Sequence, residues 1–236
     1  TQTVPMIIGV AAIMSISLID AYFIGQLGPD PLAAISFIFP ITVALTSLGV
    51  GVMVGINSVV ARSLGAGDHD QAARRANLGV VFAAAVGVTL GVALWLLQEP
   101  LFRLMNAPDN LQPLIRDYMD PFALAFPFLL VLMGFNGVLR GQGEAKMSSF
   151  INVAYAAVNW VLDPLLITGA FGFEGMGIAG AAWATLIGWA VAVVLAVICV
   201  GRTHLPFNPV LIRECENPRE PIVAIMRVAG PASFSN

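Results

Sequence analysis

Two aspartates, Asp20 and Asp163, interrupt long apolar runs of the sequence. A carboxylate placed near the middle of a bilayer costs roughly 2.5–3.5 kcal/mol on insertion scales, so it persists mainly where it works. Asp163 has polar company: Asn152, Tyr155 and Asn159 precede it at helical spacing. At about 100° per residue these four side chains stack on one face of a helix that is otherwise apolar. Lipid cannot satisfy such a stripe, so it must face other helices or a water-filled cavity. Pro164 follows at once, removes a backbone donor and frees a carbonyl one turn back. That carbonyl and the Asn oxygens are hard oxygen ligands, suited to Na⁺ or to water beside a proton site. A carboxyl withdrawn from water, with a second one nearby, favours holding a proton or a cation. Gaining or losing that positive charge changes the cost of closing a cavity around it, which links ion to conformation. The chemistry is that of a proton-coupled antiporter. The bland alternative is that each aspartate reaches an interface, since Asp20 and Asp163 both precede a Gly-marked turn, at Gly28 and Gly169.

Other polar residues lie in the same kind of setting. Ser17 is one turn from Asp20, Asn57 is in a second apolar run, and Asn136 stands between Gly134 and Gly137 in a fourth. A lone Asn in such a helix is either interhelical glue or a ligand. Pro5 reads equally as a hinge or as an ordinary kink near a helix start.

The elements that must carry these residues are membrane helices. Hydrophobic residues make up 58% of the 236 and charged residues 11%, with a mean hydropathy of +0.86. A soluble domain is about 25% charged, so lipid must be the solvent for most of this chain. Apolar runs at 3–24, 32–61, 76–97, 121–139, 147–168 and 178–200 are each long enough to span, and a seventh begins near 222. The fold class expected is all-α and polytopic: six transmembrane helices over residues 1–201, a cytoplasmic linker at 202–221 and the start of a seventh helix at 222–236. Because the seventh run meets the end of the sequence, the chain reads as part of a longer protein. No basic stretch with a cleavage site opens it, so no signal peptide is expected.

Lys and Arg divide unevenly between the two ends of these helices. Arg62, Arg74, Arg75, Arg140, Lys146, Arg202, Arg213, Arg219 and Arg227 fall on one side, and Arg103 and Arg116 on the other. The positive-inside rule makes the first side cytoplasmic and puts the N-terminus there, in a multi-pass cell-membrane protein. Gly51 with Gly55, Gly87 with Gly91, and the small-residue run from Ala179 to Ala184 mark places where helices can approach closely. Cys199 and Cys215 fit neither a disulfide framework nor a metal set and read as two free thiols. A net charge of −3 without a basic stripe excludes nucleic acid as a partner class.

Several of these stretches resemble the multidrug and toxic compound extrusion family in its prokaryotic DinF-like branch. They are the run Leu18-Ile19-Asp20-Ala21-Tyr22-Phe23-Ile24-Gly25-Gln26-Leu27-Gly28 with Leu32-Ala33-Ala34, then Ala61-Arg62-Ser63-Leu64-Gly65-Ala66-Gly67-Asp68, then Arg140-Gly141-Gln142-Gly143-Glu144, and Asn159-Trp160-Val161-Leu162-Asp163-Pro164-Leu165-Leu166-Ile167. The resemblance implies a twelve-helix antiporter of two six-helix lobes, of which this is the N-terminal lobe and the start of helix 7, with Pro231 on the family pattern. It implies a cation-coupling site of Asp20, Asp163, Asn136 and Asn159, able to take H⁺ or Na⁺, and a bending role for Pro5. A site-associated threonine of helix 6 falls near Ala181 or Thr185, and Thr185 is the residue named for it. Tyr155 and Asn152 would line the same cavity. The expected partners are drug-like cationic or amphipathic molecules, the bilayer and a C-terminal lobe; no cofactor is expected beyond the coupling ion.

Two other readings compete. Gly65-Ala66-Gly67-Asp68 spells the GxGD string of intramembrane aspartyl proteases, but Arg62, His69, Asp70, Arg74 and Arg75 around it mark a polar loop. A lipid-linked oligosaccharide flippase of the same superfamily would be expected to carry cationic residues within its cavity, and no Lys or Arg falls mid-helix.

Overall fold

The structure is a computed structural model that describes residues 3–169, 174–203, 205 and 222–228. Its helices are α1 (Thr3–Gln26), α2 (Pro29–Gly65), α3 (His69–Leu104), α4 (Gln112–Gly141), α5 (Ala145–Asp163) and α6 (Ile178–Gly201). Among the described residues there is no strand, as the composition requires. The expected helices are all present, and most extend past the predicted ends into the turns. α3 begins at His69 because Asp68 caps it, its carboxylate accepting from the Gln71 amide at 2.8 Å. That role, on an exposed side chain, removes Asp68 from any buried protease dyad.

α4 is the axis of the bundle. It packs against α2, α3 and α6, and 72% of its most apolar stretch is buried, against 39% or less in the other four long spans. α1 lies on the far side, packed mainly on α5 and only lightly on α2. A Trp160 Nε1 to Ser15 Oγ hydrogen bond of 3.0 Å helps tie α1 to α5.

Close approaches occur where the small residues stand. A Cβ on Gly91 would meet the Ala123 carbonyl at 2.7 Å, and one on Gly87 the Pro127 Cα at 2.9 Å, so the Gly87–Gly91 pair lies at a close α3–α4 approach. Gly55 meets Ile225, in the helical stretch at 222–228. α5 does not continue smoothly to Thr168. At Pro164 the missing amide breaks the ladder and Pro164–Thr168 winds as a π-turn. The following chain folds back on it, with Met176 and Gly177 amides donating to the Leu166 and Ile167 carbonyls at 2.7 and 3.2 Å. α6 then starts hard against that turn, its Gly180 touching the Leu166 carbonyl.

Cys199 is a free thiol. Cys215, Pro231 and nearly all of the linker expected at 202–221 lie outside the described residues, as does the side chain of Pro5, whose backbone is in the first turn of α1.

Candidate functional site

Asp20 on α1 and Asp163 at the end of α5 stand within hydrogen-bonding reach of each other. Asp163 is fully buried, while Asp20 is half-buried on the wall of a cleft. Asp20 Oδ1 and both carboxyl oxygens of Asp163 have no donor among the described residues, and neither does Asn159 Oδ1, one turn before Asp163 on the same face. Asn159 uses its amide nitrogen on the Tyr155 carbonyl at 3.0 Å, so its oxygen is what it presents. Four acceptor oxygens without a donor are an expensive arrangement, since each buried unmatched polar group costs about 1–3 kcal/mol. A hydrogen bond between the two carboxyls needs a proton on one of them; a small cation would satisfy the set equally. Among the described residues no three His, Cys, Asp or Glu side chains converge, so a multi-carboxylate divalent centre is absent.

The α5 stripe is buried as its spacing requires: Asn152 and Tyr155 are 8% exposed, Asn159 and Asp163 0%. α6 covers it. Tyr155 stacks on Trp189 with ring centroids 6.3 Å apart, and Gly188 packs directly against Asn159 and Tyr155. Thr185, one turn before Gly188, is buried on α6.

One predicted member is not brought to the pair. Asn136 accepts from Ser148 Oγ at 2.7 Å, and Arg140 Nε donates to the same hydroxyl at 3.2 Å. α4 and α5 are antiparallel across the short turn at 142–144, so a residue near the end of α4 meets the start of α5. Ser148 and Asp163 are fifteen residues apart, roughly 22 Å along a helix rising about 1.5 Å per residue. Asn136 is interhelical glue here, the other reading open for a lone Asn.

Sequence reasoning missed Tyr118. It lies within electrostatic reach of both aspartates, stacks on Phe122 at 5.9 Å and lines the Asp20 cleft. Its neighbours Arg116, Asp117 and Asp120 made the stretch look like a loop, whereas α4 already begins at Gln112. The cleft itself encloses about 430 Å³ between α1 and α2, with Ser17, Thr42, Thr46 and Ser47 as its other polar lining. The α2 hydroxyls were visible in the sequence, but nothing there placed them opposite Asp20.

Comparison with known proteins agrees with this architecture. The family profile MatE matches residues 5–165. The chain is 38% identical over 195 residues to a Shewanella oneidensis protein named FAD transporter, covering 83% of this chain and 43% of that one. It is 30% identical over 211 residues to the probable multidrug resistance protein YoeA of Bacillus subtilis, covering 89% and 46%. Among solved structures, one described as MATE in complex with MaD3S superposes with a TM-score of 0.90 at 29% identity, over 98% of this chain and 51% of that one. A Pyrococcus furiosus transporter of the MOP superfamily, whose binding pocket is described as having reverse polarity that suggests a different function, superposes at 0.87, also at 29% identity, over 98% and 50%. The chain spans about half the length of these relatives. With six helices arranged as in those transporters and a family match that runs from α1 to the proline turn after Asp163, the chain belongs to the MatE family, the multidrug and toxic compound extrusion transporters.

Proposed function

We propose that the protein containing this chain is a secondary active antiporter of the cell membrane that exports cationic or amphipathic compounds in exchange for H⁺ or Na⁺. The observation that carries the reading is the facing pair Asp20 and Asp163, short of donors, with Asn159 beside it and an open cleft on one side. The pair takes up the coupling ion, and Asn159 orients it through its free oxygen. Tyr155 and Asn152 continue the polar face along α5, and Thr185 flanks it from α6. With the ion bound, the acceptors are satisfied and the helices can close on them; with the ion released, mutual repulsion and unmet hydrogen bonding favour a wetter, more open arrangement. Asp20 connects the ion to the substrate, because it alone of the pair lines the cleft where a cationic compound would compete for it. Pro5, early in the same helix, is the proposed hinge.

The experiment is efflux from proteoliposomes of the full-length protein, with pH and Na⁺ gradients imposed separately. Asp20→Asn should abolish gradient-driven efflux of a cationic dye without preventing insertion. Efflux that survives this change removes Asp20 from coupling. The relative named FAD transporter supports a second substrate reading, a flavin dinucleotide. The half-cleft described here offers Asp20 and hydroxyls rather than a cation for a pyrophosphate, which favours the cationic class. The same vesicles loaded with FAD distinguish the two.

A further inference from the structure

At the end of the α3–α4 hairpin opposite the α4–α5 turn lies a two-part cleft that the carboxylate pair does not use. The part nearer the 105–111 turn encloses about 570 Å³, with Gln98, Glu99, Arg103, Asp109 and Arg116 among its lining. The deeper part, about 480 Å³, runs between the helices past Val88, Val92, Ala123 and Leu124, with Asp120 at its upper rim. Trp95 lines both. From Val88 to Arg103 the cleft follows roughly 22 Å of helix, about the depth of one leaflet with its headgroups. Val88, Val92, Trp95 and Leu124 are each more than half exposed, so the groove lies open along this face of the six-helix bundle. Trp95 sits where apolar lining gives way to charged lining, the position interfacial aromatics favour.

The charges in this cleft are of both signs. Among the described residues Arg103 and Arg116 are the only Lys or Arg at this end of the bundle, and both line the cleft. Arg103 pairs with Glu99 at 2.7 Å and Arg116 with Asp120 at 3.6 Å, yet the two arginine side chains are 68% and 69% exposed and free to turn toward another anion. Glu99, Asp109 and Asp120 leave the cleft one charge negative. Gln98 is only 6% exposed. Its amide donates to Asp120 Oδ1 at 2.6 Å and to the Trp95 carbonyl at 3.2 Å, while Oε1 has no donor among the described residues. The cleft therefore presents acids to a donor-rich cation, arginines to an anion and an apolar groove to a chain below.

We propose that this cleft binds one phospholipid with a primary-amine headgroup, drawn from the leaflet on the side of the Gly28 turn. The phosphate lies between Arg103 and Arg116, the ammonium meets Glu99, Asp109 and the Gln98–Asp120 pair, and an acyl chain follows the groove past Val92 and Leu124. A choline headgroup has the charge but no N–H to donate. A glycerol headgroup has hydroxyl donors but no positive charge, and with its phosphate it is a net anion, the wrong sign for a cleft with excess acid.

The test is native mass spectrometry of the full-length protein with phosphatidylethanolamine, its N-monomethyl, N,N-dimethyl and trimethyl forms, and phosphatidylglycerol, all with the same acyl chains. Retention should fall along the methyl series, by about tenfold from end to end as charge-assisted hydrogen bonds are lost, with phosphatidylglycerol no better than the trimethyl form. Glu99→Gln with Asp120→Asn should flatten the series, and Arg116→Gln should weaken all five lipids alike. Because Asp120 is hydrogen-bonded inside the hairpin, the exposed variant Glu99→Gln alone, which should reduce the slope, serves if the double variant does not fold. Equal retention of ethanolamine and choline lipids, or tighter phosphatidylglycerol, overturns the proposal, as does an unchanged slope in the acid variants.

Discussion

An aspartate facing another aspartate inside a helix bundle is useful only if something positive comes and goes between them. Asp20, Asp163 and Asn159 present unmatched acceptor oxygens, the Asn159 amide nitrogen being spent on Tyr155, so an ion that binds the folded arrangement should stabilise it. The gain for a ligand specific to the native state is RT ln(1 + [L]/Kd), about 2.7 kcal/mol at a hundredfold excess over Kd. In a Na⁺-free buffer, adding Na⁺ or lowering the pH should therefore raise the melting temperature of the full-length protein, and whichever of the two does so names the coupling ion. Asp163→Asn places an N–H beside Asp20, meeting the deficit permanently, and should make the melting temperature insensitive to that ion. A variant that still responds as the native protein does would mean that the ion binds elsewhere. Helical spacing made Asn152, Tyr155, Asn159 and Asp163 legible as one face; that Asp20, on another helix, shares a site with Asp163 was implied only by the family resemblance. Asn136 shows where that reasoning stops: residue type marked it as polar in an apolar run, but depth along an antiparallel hairpin, which no local pattern encodes, gave it to Ser148 instead.

The helices themselves were readable to within a few residues at most ends, since an apolar run of bilayer length has one solution in lipid. Contacts between helices were less so. The Gly87–Gly91 pair announced itself, but Gly188, which seats α6 against the site, stands in a run where small residues are common and nothing marks it. A Cβ at Gly188 would collide with the Asn159 amide and reach the Tyr155 ring at 2.9 Å. Gly188→Ala should therefore displace Asn159 or push α6 away, at an overpacking cost of about 1–3 kcal/mol. The expected result is a lower melting temperature and a weaker ion response than in the native protein. Gly25→Ala, where nothing lies within 4 Å of the added carbon, is the control and should leave ion response intact. If both variants behave alike, the α5–α6 contact does not position the site.

For the molecule as a whole, the arrangement of charge predicts which way it faces. The structure gathers Arg62, Arg74, Arg75, Arg140, Lys146 and Arg202 at one end of the bundle, where Arg75 Nη1 bonds Ser63 Oγ at 3.0 Å and Gly141 packs on Val60. Arg103 and Arg116 lie at the other end. Charge of this kind resists translocation, so the first end should remain cytoplasmic. The inference matters for mechanism, since Asp20 and Asp163 are nearer the second end and would then meet the outer solution before the inner one. In full-length protein with every native cysteine, Cys199 and Cys215 among them, replaced by Ala, Pro108→Cys, exposed between α3 and α4, should react with an impermeant maleimide on intact cells. Ala66→Cys, exposed between α2 and α3, should react only after the membrane is opened. The reverse pattern would invert the protein and put the carboxyl pair next to the cytoplasm, where an inward proton or Na⁺ gradient would reach it last and the export cycle described above would have to run from the other side.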